Sequence, residues 1–562
     1  MNARVARPGW LVPAAVAVVL TLVVALGFGG GLLAGGASPS PIGTSVAAAP
    51  SGVPSVAPSG DVTEPTPNAD ASAPPATPSP SPLPSAPPPT TTAEVAIVPV
   101  TSFRSTRTAV RPADVRAIAE GSGSLDALVL VEADADAILA GLGQDRAAFG
   151  RRLVTVADAA ALAADLASHR ARLGFLRADD VDASVRALAW GGKALFGVDR
   201  VAGLDAWPLR ASLTVAVGGV PDYDPARAWT LVAGGDILLD RGVSLALGAA
   251  RRGADYMFDG GTVDITGRCK DCSPFGWDTP YTKRTGNAGL VRDLVKGADI
   301  AIANFENPAP NRFRFHGSGT VFSANPAYLA GLARAGIDWV SLANNHIGDA
   351  GRTGILQTMA NLDDHGIRHS GAGRNEARAH QAALIDVEGV TVGLLGYDTV
   401  AAYYHAGPDT IGSAKMTKAA LRRDIAAARK AGAEVVIVFP HWGVEYTTRV
   451  TARQERLGRA AIDAGADMVI GNHPHWVGAM EVYKGKPIWY ALGNLVFDQT
   501  WSIPTMEGIT LELTMSGTEL VQVRIRPHLI LGKAQPNVMD PAGSGREVMN
   551  QLFRASDGRL PW

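Results

Sequence analysis

Only two of the 562 residues are cysteine, which excludes a disulfide-scaffold protein and a four-thiolate metal site. Positive charge is not in surplus either: 51 Lys and Arg stand against 53 Asp and Glu, a formal net charge of -2. A whole-surface field able to hold a nucleic-acid backbone is thereby excluded, and no nucleic-acid partner is expected, although a local positive cleft is still allowed. Charged residues are scarce at 19%, whereas apolar ones reach 47%, enough for large buried cores. The 63 Gly and 37 Pro cannot all sit in helices and strands. Many of them crowd into one stretch near the start, the composition of a disordered tether beside globular sequence. At roughly 150 residues per domain the length allows about three or four domains.

Residues 1–37 bear on the compartment. Arg4 and Arg7 precede an uncharged run from Pro8 to Ala37 with its apolar centre at Leu11–Phe28. That is the lower limit for a membrane-spanning helix, and positive charge before the run favours a cytoplasmic amino terminus. The alternative is a cleaved signal peptide, with Gly35 and Ala37 as the small residues before the cut. Both readings put the bulk of the chain outside the cytoplasm, as a single-pass protein of the cell membrane or as a secreted one. Residues 38–92 are mostly Pro, Ser, Ala and Thr and cannot recover the entropy of folding. Stretched at about 3 Å per residue, this spacer could reach on the order of 100 Å.

Two globular regions follow. Residues 93–220 alternate β-branched runs (Val95–Val100, Ala127–Val131) with alanine-rich helical patterns (Val110–Glu120, Ala157–Leu173), which predicts a small α/β domain. The segment Leu173–Val181 resembles segments of periplasmic solute-binding proteins, and a binding or scaffolding module is expected. His169 reads as a surface or packing residue.

From Trp229 to the end, six apolar runs of strand length each lead into polar residues able to bind metal. They deliver Asp236, then Asn304 and Glu306, then Asn344, Asn345 and His346, then His441 and Glu445, then His473 and His475, then Asn494 and Asp498. Continuous rather than alternating apolar runs mean strands covered on both faces, and helical patterns lie between them at Pro326–Ala335, Thr353–His365, Lys418–Ala431 and Ala452–Ala464. In such layered sheets functional groups gather beyond the strand ends. Carboxylates, an amide oxygen and imidazoles together suit Mn, Zn or Fe better than Ca. Their number exceeds the needs of one tetrahedral ion, so two divalent ions sharing a carboxylate are expected. Such a pair can activate a water and clamp a phosphoryl oxygen. His346 would stabilise or protonate a leaving oxygen. Arg241 would either present a fork to an anionic substrate or form a salt bridge that fixes the first loop. Asn304, Glu445 and Asn494 are further candidates for substrate contact.

Gly235-Asp236…Arg241, Asn304-Phe-Glu306, Ala343-Asn-Asn-His346-x-x-Asp349, His441-Trp-Gly-x-Glu445, Gly471-x-His473-Pro-His475 and Leu492-Gly-Asn494-x-Val-Phe-Asp498 together resemble the CapA family of capsule and poly-γ-glutamate biosynthesis proteins. The resemblance covers roughly Trp229–Arg554. It implies a layered α/β sandwich of the calcineurin-like metallophosphoesterase type over 229–562. It also implies that Asp236 and His475 bind one ion, that Asn345, His441 and His473 bind the other, that Glu306 bridges, and that His346 is the catalytic histidine. Two departures from the wider phosphoesterase pattern stand out: Leu238 replaces the histidine of Asp-x-His, and Glu306 replaces an aspartate. Asp240 either completes the short position or leaves its ion weakly held. The expected function is a tethered metal-dependent hydrolase. The alternative is a non-catalytic, polymer-holding part of a capsule synthesis and export complex. In either case the partners are an anionic surface polymer or phosphoester, the membrane, and capsule synthesis membrane proteins. Cys269-x-x-Cys272 could be a redox site or half of a zinc site; no second pair completes the zinc site, and outside the cytoplasm a local disulfide is expected over a redox role.

Overall fold

The computed structural model describes residues 89–217 and 223–561. The expected anchor or signal (1–37) lies outside them, as does the spacer (38–92) up to residue 88. Among the described residues no helix is long and apolar enough to cross a membrane.

Two sheets dominate the later part of the chain. One has eight strands, ordered Arg368–Ser370, Trp339–Ser341, Ile300–Phe305, Ala228–Ile237, Glu507–Ser516, Glu519–Leu531 and Gln535–Val538, with Asn494–Val496 added alongside Ala228–Ile237. The other has six, ordered Ala383–Val387, Val390–Asp398, Val435–His441, Met468–Ile470, Lys486–Trp489 and Met480–Tyr483.

The side-chain period of a strand explains how these sheets stack. Trp229, Leu231, Ile300, Ile302 and Trp339 of the first sheet share a core with Val435, Ile437, Phe439, Met468 and Ile470 of the second. Trp339 and Phe439 meet edge to face across that layer, ring centres 5.3 Å apart. The intervening residues point outward. Val232, Ala301, Ala303 and Val340 pack under the helices Leu290–Lys296, Leu329–Ala335 and Gly351–Asp364. Val436, Val438 and Val469 pack under Lys418–Lys430 and Ala452–Asp463. The result is helix, sheet, sheet, helix: the layered α/β sandwich expected, with runs apolar on both faces because both faces are covered. Helix Arg546–Ala555 closes one end of the inter-sheet core with Val548, Met549 and Leu552.

The parallel registers set the site. Asp236 lies beside Asn304 on one side and Asn494 on the other, and His441 lies beside Asp398. Strand Asn494–Val496 comes so close that a Cβ on Gly235 would overlap the carbonyl oxygen of Gly493, which is why glycine precedes Asp236.

The earlier region forms its own six-stranded sheet. Leu153–Val156, Ala127–Val131, Arg172–Arg177, Thr90–Ser102 and Val185–Ala187 lie in that order, with Arg210–Ala216 paired to the first half of Thr90–Ser102. Helices Pro112–Glu120, Ala135–Gly141 and Ala159–Ser168 accompany it. The first strand begins at Thr90, so the last three residues of the expected spacer are strand: β-branched threonines find partners in Ala216, Val215 and Thr214. All described residues fall in one compact unit, Ser85–Trp562.

Candidate metal centre

Asp236, Glu306, His441, His473 and His475 are all at most 4% exposed and converge at the strand ends. His441 Nε2 lies 2.7 Å from Asn345 Oδ1, 3.0 Å from His473 Nδ1 and 3.5 Å from Glu306 Oε1. His475 Nε2 lies 3.6 Å from Glu306 Oε1 on the other side. Metal bonds of about 2.0–2.2 Å put neighbouring ligand atoms roughly 3.0–3.5 Å apart, so these separations resemble edges of coordination polyhedra. Asp236, Glu306 and His441 form one group able to hold an ion, and Glu306, His473 and His475 form another. Glu306 is common to both.

Glu306 also supplies the test of fit. Both its carboxylate oxygens are buried without a hydrogen-bond partner. Burial, and then the neighbouring Asp236 carboxylate, push its pKa well above the usual range. Burial and the adjacent imidazoles hold His441 far below its ordinary value, and His473 is lowered to about 3, chiefly by burial. Imidazoles held neutral by burial and facing a buried carboxylate are a donor set that a divalent cation satisfies.

Several neighbours orient these groups. Asn494 Nδ2 donates to Gln499 Oε1 and to Thr505 O, so its Oδ1 accepts from His475 Nδ1 at 2.9 Å; that nitrogen also lies 3.2 Å from Asp236 Oδ2, and Nε2 is turned toward Glu306. Asn304 Nδ2 donates to Asp236 Oδ1 at 2.7 Å and lies 3.1 Å from His441 Nδ1. Both asparagines are at most 1% exposed, which corrects their expected role in substrate contact: their polar atoms are taken up in holding the ligands. Glu445 is half-buried, near enough for its charge to add to the repulsion on Glu306.

His346 Nδ1 lies 2.9 Å from Asp349 Oδ2, and a carboxylate only accepts, so the ring proton is fixed there. Asp349 in turn accepts from Phe322 N and Tyr404 OH. His346 Nε2 faces Asn345 Nδ2 at 3.0 Å, and its ring packs on Phe322. Of the two readings of Arg241, the structure has the salt bridge: Nη2 pairs with Asp498 at 2.5 Å, Nη1 donates to Gly319 O, and the guanidinium stacks over Phe322. Asp240 does not complete a metal position. Its carboxylate accepts from Arg241 N and Ser323 N and meets His316 through backbone and ring. Leu238, where the wider pattern has histidine, lies in an apolar cluster with Phe322, Phe497 and Ile530.

Nine residues other than glycine have positive φ among those described, and four of them sit here: Arg241, Tyr446, His473 and His475. Strain so concentrated marks backbone held for its side chains. Cys269 and Cys272 are joined in a disulfide, Cα atoms 5.6 Å apart, at the end of a hairpin built from Val263–Cys269 and Thr279–Arg284. The following turn carries Phe275 and Trp277, which stack edge to face on Trp501 and Trp476, and Trp501 meets Tyr446 beside His475. This aromatic row was missed in the sequence, where its members are scattered over residues 275–501 with no shared spacing.

The profile of the bacterial capsule synthesis protein family PGA_cap matches residues 230–499. The capsule biosynthesis protein CapA of Bacillus anthracis is 31% identical over 281 residues, 48% of this chain and 68% of that protein. The PGA biosynthesis protein CapA of Bacillus subtilis is 32% identical over 216 residues, 38% of this chain and 57% of that one. This chain belongs to the CapA (PGA_cap) family. Among solved structures, a 5'-nucleotidase precursor from Thermus thermophilus is similar at a TM-score of 0.33 and 13% identity, over 58% of each chain.

Proposed function

We propose that the protein is a metal-dependent hydrolase of the phosphoesterase type that works in capsule or poly-γ-glutamate biosynthesis. The observation that carries this reading is Glu306: two bare, buried carboxylate oxygens between histidines at coordination spacing. Asp236, Asn345, His441, His473 and His475 would hold the ions, with Glu306 common to both groups. Two such ions, when bound, lower the pKa of a shared water and polarise the oxygens of the bond to be cut. The chain's own part is positional. Asp349 fixes the His346 ring and its Nδ1 proton, so proton exchange with the substrate is confined to Nε2. Burial of Asp236 and the histidines excludes bulk water from the ligands. Exposed Arg312, Phe313, Arg314 and Phe315, in the segment leading to His316, whose ring meets Asp240, suit an anionic polymer such as the one in the family's name. The apolar run after Arg4 and Arg7 would tether the protein to the cell membrane, beside membrane proteins of capsule synthesis and with its bulk outside the cytoplasm.

A second reading is favoured by Leu238 and by the commitments of Asp240. One ion position has few ligands, as suits a polymer-holding subunit without turnover. Full-length protein in detergent with Mn or Zn, assayed on an aryl phosphodiester and on poly-γ-glutamate, separates the two. Wild type should turn over one of them, and His346→Ala should lose at least about 100-fold in rate. Equal inertness of both proteins, each with bound metal, would establish the second reading. Changing His473 and His475 together to Ala should abolish metal binding, as read by elemental analysis.

A further inference from the structure

The small sheet and the sandwich meet along a cleft remote in sequence from the metal ligands. A cavity of about 250 Å³ is lined by Arg107, Arg186 and Asp199 on one side and by Arg524, Arg526 and Met539 on the other. An adjoining cavity of about 580 Å³ shares Arg107 and brings in Arg170. Arg186 lies on the edge strand Val185–Ala187, paired with Thr101, and is 3% exposed. Its Nη2 donates to Phe103 O at 3.1 Å, while its Nε is buried without any partner.

Among the described residues no carboxylate pairs with Arg186. The two carboxylates at hand are already paired: Asp199 with Arg524 at 2.5 Å, and Glu512 with Arg526 at 2.7 Å and with Arg524 at 3.4 Å. Three guanidinium groups therefore share two carboxylates. Burial, and then the like charges of Arg524 and Arg526, lower the Arg186 pKa to about 10. Keeping such a group buried is costly unless a counter-charge arrives. The cavity could hold roughly eight waters at about 30 Å³ each, room for a compact anion. Ile525, Pro527, Val538 and Met539 add apolar wall, which strengthens any ion pair formed inside.

We infer that this cleft is a binding site for a small oxyanion, a phosphoryl or carboxylate group, anchored on the guanidinium of Arg186. Arg107 lines this cavity and the adjoining one, its 27% exposed side chain bonded to Ser124 Oγ and 3.9 Å from Asp114 Oδ1. A planar fork with an unused Nε–H suits either oxyanion, since both offer paired oxygens.

The test titrates chelator-treated, full-length protein in detergent with inorganic phosphate and, separately, with tri-γ-glutamate. Removing metal first keeps either anion from reporting on the metal centre, and the Arg186 variant separates binding in this cleft from binding at Arg312 and Arg314. At least one anion should bind at millimolar concentration or below and raise the thermal midpoint with dose. Phosphate alone would identify a phosphoryl ligand, and the oligomer alone a carboxylate one. Arg186→Met keeps the side chain's bulk. Without anion it should melt at or above the wild-type temperature, and it should bind at least about tenfold more weakly. A wild type that binds neither anion at tens of millimolar overturns the inference. So does an Arg186→Met protein that binds as wild type does, whatever its melting temperature, since the guanidinium would then not be the anchor. If that variant does not fold, Arg107→Gln takes its place: weaker binding supports the site, and unchanged affinity counts against it.

Discussion

At the scale of single residues, Glu306 is the group whose surroundings make least sense on their own. Its neighbours are carboxylate, imidazole and amide, yet neither of its oxygens accepts a hydrogen bond. A buried acid in that position is costly without a cation and favourable with one. Glu306→Gln should therefore have opposite effects in two conditions. In chelator the variant should unfold at a higher denaturant concentration than wild type, by about 1–3 kcal/mol, because an unpaired buried acid is gone. With Mn or Zn in excess the order should reverse, because wild type alone gains stability by binding. Paired denaturation curves with and without metal check this. A variant less stable in both conditions would mean that Glu306 has a structural partner instead.

At the scale of elements, the antiparallel pair Glu507–Ser516 and Glu519–Leu531 places two perturbed groups side by side: Gly508 pairs with His528, and Glu507 with Leu529. Burial raises the Glu507 pKa from 4.5 to about 8, partly offset by Arg268, and burial lowers that of His528 to about 4. Between pH 4.5 and 8 the folded protein keeps the Glu507 proton that the unfolded chain gives up, so stability from this group falls as pH rises through that window. His528 acts in the opposite sense: the unfolded chain gains a proton below pH 6.5 that the folded one refuses until about pH 4. Glu507→Gln should flatten the loss of thermal midpoint between pH 6.5 and 8, followed by scanning calorimetry across that range. These two strands were not legible in the sequence, because polar residues interrupt them; the six runs that lead to the metal-type residues were, because each is mostly apolar and ends directly at those residues. Their division of labour was not. An asparagine after a strand looks the same whether it faces a ligand, as Asn345 does, or turns sideways to hold a neighbour, as Asn304 and Asn494 do. Asp240 also sits at ligand spacing, and only its contacts with His316 and Ser323 show it committed elsewhere.

At the scale of the whole molecule, the small sheet is bonded to the sandwich through groups that neither could bury alone. Glu512 is fully buried on a sandwich strand, and it accepts from Val198 N while pairing with Arg524 and Arg526; Arg524 reaches on to Asp199. Gly197 N donates to Thr514 Oγ1, Gln522 Nε2 donates to Val185 O, and Phe103 packs edge to face on Phe553 of the closing helix, centres 6.2 Å apart. Phe103 belongs to the inter-sheet core of the sandwich rather than to the core of its own sheet. Opening this seam would expose that ring and leave backbone donors and a buried carboxylate short of partners. The two globular regions should therefore unfold together. Full-length protein, metal-free so that ion binding does not stabilise one part selectively, should give a single calorimetric transition with calorimetric and van't Hoff enthalpies equal. Phe103→Ala should lower its midpoint without splitting it, at a cost of about 3–5 kcal/mol for a buried aromatic. Two resolved transitions, only one of them shifted by that change, would show the seam to be a mere contact between independent domains. The cleft around Arg186 would then open and close with their relative motion instead of being held in shape.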